Sequence, residues 1–413
     1  MTAPENIDGV PGRAAGHSVL ERLIAIDPDV FAANYWGRQA LLTPAAELTT
    51  PFADLLDSDA VDELVSERGL RTPFLRVAKN GSTLADKAFT APGGVGAGIA
   101  DQVSDDKLVR LFADGSTLVL QGLHRVWPPI IRFCQQLAAE LGHPVQANAY
   151  VTPPQNQGFS DHYDVHDVFV LQIEGEKRWR IHAPVHESPL RDQPWTDRVA
   201  AVERRAAEPP LIEEVLRPGD CLYLPRGFLH AATALGGTSI HLTIGVHTWT
   251  RFALAEQLVA QLLGTLAREP GIRRSLPLGL DLGDPSAVRA ETEEVRQLLA
   301  AALARADADQ AWQNVRQAAR SSQRAAPVGP LRQLRDATAL EPDSMIRLRD
   351  HLAATLDQAG GRTRLRSRAD DLVIAEDEVA GVKSLLEAGT VRAEDLGLDL
   401  ARRLLLAGVA VVE

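Results

Sequence analysis

The chain has 413 residues, 45% of them hydrophobic, enough for two or three domains each with its own core. Asp and Glu outnumber Lys and Arg by 55 to 43, a net charge of -12. That balance argues against general binding of nucleic acid or acidic membrane and suits a basic protein partner better. Cys134 and Cys221 stand far apart, which excludes a disulfide framework or a zinc-thiolate site and points to a reducing cytoplasm. No leader-like apolar core opens the chain and no later run is long enough to span a bilayer, so neither export nor membrane insertion is expected.

In chain order, residues 19–26 and 29–36 place apolar side chains at helical spacing, and Gly37 and the Pro44 region break the pattern. Residues 74–77 followed by Asn80-Gly81 predict a hairpin, since Asn-Gly supplies the positive φ of a tight turn. Residues 130–141 form a helix with Ile130, Phe133, Leu137 and Leu141 in one stripe. Short strands follow at 145–152, 167–173, 178–182, 214–216, 220–224, 230–234 and 239–248. They are parted by turn chemistry at Glu174-Gly175-Glu176, Arg217-Pro218-Gly219, Pro225-Arg226-Gly227 and Gly236-Gly237. Many short strands with Gly and Pro turns predict a barrel or sandwich. Helices are expected at 251–267, 285–304 and 307–321, the second opened by Asp284 as N-cap and Pro285 at its first position. After a linker at 326–330 the tail reads as helix, strands 362–367 and 372–375, helices, and a last run at 409–412, an order that suits a small winged helix.

The chemistry concentrates in Asp161-His162-Tyr163-Asp164. In an extended segment residues i and i+2 face one side, so His162 and Asp164 can ligate one ion. His230, after the Pro225-Arg226-Gly227 turn, is the candidate third ligand. Two imidazoles and one carboxylate on one face leave three positions open on an octahedral ion, the arrangement a non-haem iron(II) oxygenase needs. A lone His-x-Asp also arises by chance on strand surfaces; the buried-looking strand after it and the turn before His230 weigh for the metal. Lys177 can reach into a barrel and pair with a dicarboxylate, although Glu176 and Arg178 equally read as exposed members of the alternation. His166, His182 and His186 fall off the ligand spacing and are assigned to the surface or to local hydrogen bonds. His241, Thr243, Gly245 and His247 alternate on one strand and can share a face near the pocket, with His241 as a buried, hydrogen-bonded ring.

The runs Gln157-Gly158-Phe159-Ser160-Asp161-His162-Tyr163-Asp164, Asp167-Val168-Phe169-Val170-Leu171-Gln172, Glu174-Gly175-Glu176-Lys177-Arg178-Trp179-Arg180 and Leu224-Pro225-Arg226-Gly227-Phe228-Leu229-His230 resemble the JmjC ribosomal oxygenases. The match is dense from about residue 145 to 248. The resemblance implies an α+β protein: a double-stranded β-helix (JmjC/cupin) barrel with N-terminal helices over 1–250, a helical dimerisation region over 251–325 and a winged-helix-like domain over 331–413. It implies iron(II) on His162, Asp164 and His230, with Lys177 holding the distal carboxylate of the co-substrate 2-oxoglutarate. Asn148 and Thr243 follow as its neighbours and Tyr150 as a substrate contact. The implied reaction hydroxylates an arginine or histidine side chain of a ribosomal or other protein, with a homodimer as the assembly. Gly245 and His247 stand where eukaryotic members carry Ser and Tyr, which alters the substrate side of the pocket and leaves a peptide natural product or a small molecule open. Demethylation would follow the same path if the hydroxylated carbon sat on nitrogen. The rival class is a non-catalytic cupin-like binding or regulatory protein. A cupin with three histidines and a glutamate is disfavoured, because the second ligand is Asp164.

Overall fold

The computed structural model describes residues 18–79, 81–156, 159–281, 283–284, 286–359 and 361–413. Two compact units result: residues up to Thr248 together with Ala325–Glu413, and Trp249–Arg324. Strands up to residue 246 are β1 Leu41–Thr43, β2 Leu75–Lys79, β3 Ser82–Thr83, β4 Thr90–Ala91, β5 Gln102–Val103, β6 Thr117–Leu120, β7 Val145–Thr152, β8 Asp167–His182, β9 Ile212–Leu216, β10 Cys221–Leu224 and β11 Leu229–Val246. Nine of them join in the order β1-β10-β8-β11-β7-β6-β2-β3, with β9 beside β8, and every pairing is antiparallel.

Two long strands organise this sheet. β8 pairs along its whole length with β11, while its other edge takes β10 opposite 168–171 and β9 opposite 177–181. The expected strand pairs 167–173 with 178–182, and 230–234 with 239–248, are therefore two continuous strands. Glu174-Gly175-Glu176 and Gly236-Gly237 are irregularities within the ladder rather than strand-ending turns. The register jumps from Leu235↔Glu176 to Ile240↔Glu174, so four residues of β11 face one of β8, a large bulge in the ladder. Gly175 sits there at φ 62° and Gly236 at φ 66°, the left-handed region open to glycine.

Period-two alternation then sorts the faces. Ala147, Ala149, Phe169, Leu171, Leu242 and Ile244 pack with Phe31, Phe52, Leu56, Leu64, Ile130, Phe133 and Leu137 from the preceding helices in one core. The expected helix 130–141 runs Pro128–Leu141 and buries its stripe there up to Leu137. Expected helix 29–36 is Pro28–Asn34, where Asp27 accepts from Asp29 N and Val30 N as N-cap; 19–26 is reduced to a 3-10 turn at Leu20–Arg22. β2 and β3 form the expected hairpin; Asn80, on which its turn was placed, lies outside the described residues.

Trp249–Arg324 holds helices Arg251–Leu266, Arg289–Leu303 and Ala308–Ser322 around Leu262, Leu266 and Ala302. Its second helix begins later than expected, and Pro285 lies outside the described residues. Residues 325–413 have their own core of Ile346, Val382, Leu385, Leu400, Leu404 and Val409 among others. They carry helices Pro330–Thr338, Val379–Ala388, Ala393–Leu396 and Leu398–Leu406, and the strands β12 Met345–Leu348, β13 Thr355–Ala359, β14 Arg362–Arg366, β15 Asp371–Ile374, β16 Thr390–Arg392 and β17 Ala410–Val412. The sheets are β16-β12-β17 and β13-β14-β15; β12, β13 and β16 were not anticipated. No helix among the described residues is long and apolar enough to cross a membrane.

Candidate metal centre and anion pocket

His162 and His230 are brought together by a two-residue bridge. His230 N donates to His162 O at 2.8 Å and His162 N to His230 O at 3.3 Å, outside any longer ladder for His162. The His-x-Asp segment is thus a bridged loop before β8 rather than a strand, and its i, i+2 geometry survives because the bridge holds it extended. Their ring centroids lie 4.4 Å apart. His162 Nδ1 meets Ser160 O at 2.8 Å and His230 Nδ1 meets Phe228 O at 3.1 Å. A carbonyl only accepts, so in both neutral rings the proton sits on Nδ1 and the Nε2 lone pair is left for an ion. Asp164 completes the cluster: one ligand atom from each of the three side chains lies within 4.8 Å of the others, with His230 Nε2 3.7 Å from Asp164 Oδ2. Burial lowers the His230 pKa to about 4, the neighbouring His162 adding to it. Burial alone would raise the Asp164 pKa, but His166, His230 and His162 outweigh it and bring it below the usual value. A neutral imidazole pair with an ionised carboxylate is the donor set an octahedral divalent cation takes.

The turn that delivers His230 is itself anchored. Fully buried Asp167 accepts from Tyr223 Oη at 2.7 Å and Arg226 N at 3.0 Å and lies 3.4 Å from Arg226 Nη1. Gly227 N in turn donates to Asp164 O at 3.0 Å.

These ligands open into a cavity of about 530 Å³, counted to its open mouth. Lys177 lies in its wall, 3% exposed, donating to Thr152 Oγ1 at 3.1 Å, with His241 Nδ1 3.5 Å away. Burial alone brings its pKa down to about 7, and no ion pair of Lys177 occurs among the described residues. Thr117 extends the polar chain, its hydroxyl 3.2 Å from Thr152 Oγ1. Tyr150, Phe159 and Trp179 supply aromatic walls, with Tyr150 stacked on His241 at 4.9 Å and 1°.

Of the other expected site residues, Thr243 and Tyr150 line the cavity. Asn148 pairs with Thr243 across β7 and β11, but its Oδ1 accepts from Gly122 N at 3.0 Å and it is not among the lining side chains. Gly245 and His247 do not line it either. A Cβ on Gly245 would come within 3.1 Å of Gln146 and His166, and His247 is exposed with its ring 5.1 Å from His166. His186 is locally bonded to Gln193 as expected, at 2.9 Å. His182 is not a surface residue: it is 1% exposed and both ring nitrogens lack a hydrogen-bond partner among the described residues. Thr117, Thr152, Phe159 and Trp179 were not anticipated. Trp179 and Thr152 follow Lys177 and Tyr150 by two residues, so alternation alone could have found them.

Residues 124–254 match the family model described as JmjC domain. The bifunctional lysine-specific demethylase and histidyl-hydroxylase NO66 of Drosophila erecta is 31% identical over 288 residues, covering 67% of this chain and 41% of that protein. Ribosomal oxygenase 1 of Rattus norvegicus is 35% identical over 171 residues, 40% of this chain and 28% of that one. This chain thus spans well under two thirds of the length of these relatives. Among solved structures, the ribosomal oxygenase YcfD of Escherichia coli matches with a TM-score of 0.53 at 17% identity, over 94% of this chain and 98% of that one. A second structure of it, in complex with cobalt and 2-oxoglutarate, gives 0.54 at 17% identity over the same shares. The barrel is thereby of the JmjC/cupin kind.

Proposed function

From a chain that carries a JmjC domain of the ribosomal-oxygenase kind, we propose an iron(II)- and 2-oxoglutarate-dependent oxygenase that hydroxylates an amino-acid side chain of a protein. One observation carries the reading. Two imidazoles with Nδ1 tied to backbone carbonyls present Nε2 beside Asp164, and an ammonium without a counter-ion is buried in the same cavity. The described residues fit the metal and the co-substrate, which is also what the YcfD complex with cobalt and 2-oxoglutarate contains. Bound iron(II) with 2-oxoglutarate and dioxygen supplies oxidative decarboxylation to succinate coupled to hydroxylation of a carbon. His162, Asp164 and His230 hold the metal, Lys177 neutralises the distal carboxylate, and Thr243 lines the co-substrate pocket. Tyr150 contacts the substrate from the wall, while Asn148 stands beside Thr243 behind the wall, its Oδ1 taken by Gly122 N. Val168, Val170 and Trp179 keep water from the reacting centre.

An arginine or histidine of a ribosomal protein is the substrate we assign, supported by the names of the relatives and by the fit of an acidic chain to a basic partner. The molecule divides into a catalytic domain over 1–250, a dimerisation region over 251–325 and a winged-helix-like domain over 331–413, and it works as a cytoplasmic homodimer without nucleic acid. Exposed Phe252, Val259 and Leu263 on one helix support the dimer.

The test is succinate formation from 2-oxoglutarate by anaerobically iron-loaded protein, with and without cell extract. Turnover raised by extract and lost in His162→Ala and Lys177→Ala is expected. No metal-dependent turnover under any condition would leave the binding-protein reading in its place.

A further inference from the structure

Lys177 has three N–H donors and no acceptor. Thr152 Oγ1 at 3.1 Å takes one, and His241 Nδ1 at 3.5 Å lies in place for a second. In the charged form that an anionic ligand selects, Lys177 only donates, so His241 Nδ1 is the acceptor of that pair and the proton of the neutral ring sits on Nε2. The ring that offers this acceptor is fixed on two sides. Tyr150 stacks on it at 4.9 Å and 1°, and the Trp179 ring meets it at 5.4 Å and 82°. His241 is 3% exposed and lines the same cavity as Lys177. A long, flexible side chain is thus held by two acceptors on the wall, and its third N–H is left for what enters the cavity.

We propose that His241 is the positioning residue of the anion subsite, its Nδ1 accepting from Lys177 so that the remaining N–H of the ammonium is aimed at the ligand's distal carboxylate. The inference rests on the oxygenase reading for the identity of the ligand and adds a role for a residue outside the metal cluster. An imidazole kept only for packing would give shape to the cavity without preferring one charge on the ligand over another. A positioning acceptor makes a sharper demand: its loss must be felt by a ligand with a distal carboxylate and not by one without.

The experiment is calorimetry on manganese(II)-loaded full-length protein under argon, where nothing turns over. It compares 2-oxoglutarate with 2-oxopentanoate, which has the same chain length and no distal carboxylate. His241→Phe keeps an aromatic ring beside Tyr150 and removes the acceptor; His241→Gln restores one. The expected result is about tenfold weaker 2-oxoglutarate binding in His241→Phe, unchanged 2-oxopentanoate binding, and recovery to within about threefold in His241→Gln. Unchanged 2-oxoglutarate binding in His241→Phe, or equal weakening of both acids, overturns the inference. His241→Leu is the second acceptor-free variant. If neither Phe nor Leu folds, the ring is a packing element and the inference is likewise overturned. Wild-type protein that binds neither acid refutes the oxygenase reading itself, whereas wild type that binds 2-oxoglutarate with His241→Phe behaving identically refutes only the role given to His241.

Discussion

An ammonium buried without a carboxylate sets a proton balance that can be measured. Burial lowers the Lys177 pKa from 10.5 to about 7, so between those values the unfolded chain holds a proton that the ligand-free folded protein has released. Stability therefore rises with pH through that window and is lost as pH falls toward 7. A dianionic ligand needs the charged form, so its binding above pH 7 takes up a proton. The dissociation constant of 2-oxoglutarate should weaken up to about tenfold per pH unit from pH 7.5 to 9, read by calorimetry in two buffers of different ionisation enthalpy. Lys177→Arg, always charged, should flatten that slope. Asp167 makes the complementary case of a buried charge fully engaged. Asp167→Asn leaves the Arg226 guanidinium without its charge partner and should cost about 3–5 kcal/mol in denaturant unfolding. It should also weaken manganese binding, because the turn it anchors touches both Asp164 and His230. The clustering of His162, Asp164 and His230 was legible in the residues because a two-residue period and a Pro/Gly turn state its geometry. The roles of Thr152 and His241 were not, since they depend on which atoms of neighbouring strands come within 3.5 Å of Lys177.

At the level of strands, the bulge decides which residues enter the barrel. Val168 and Val170 of β8 line the cavity, and so do Lys177 and Trp179, so the inward parity changes from even to odd across Gly175. In β11 His230, Ala231 and Ala232 reach the cavity before the four residues 236–239, and His241 and Thr243 after them. Without the irregularity Glu176 and Arg178 would point inward in place of Lys177 and Trp179, and a dicarboxylate would meet the Glu176 carboxylate where Lys177 now stands. A Cβ on Gly175 would lie 2.1 Å from Thr238 O, at a φ of 62°. Gly175→Ala should therefore lose at least about 2 kcal/mol by denaturant unfolding and lose 2-oxoglutarate affinity with it. Gly175 and the Gly236-Gly237 pair read as turns because turns and bulges both ask for positive φ. What separates them is whether the flanking runs pair with each other or continue along a common neighbour, and that is information from elsewhere in the chain.

For the molecule as a whole, long helices were more legible than short strands. Helices at 251–321 showed through their spacing, whereas β12 and β16 escaped notice at four and three residues, too short for alternation to register. If the exposed Val259 and Leu263, one turn apart on Arg251–Leu266, meet a second copy, then Val259→Glu with Leu263→Glu should halve the mass seen in sedimentation equilibrium. β8 and β11 carry the candidate ligand His230 together with Lys177, Trp179, His241 and Thr243, and every one of those positions is indexed to the same ladder. The ladder therefore behaves as a reading frame. Adding or removing a single residue within the regular stretches shifts several functional side chains to the other face at once, whereas residues 236–239, already out of step with β8, offer a place where evolution or an engineer can change the length of the pair and keep the site in phase.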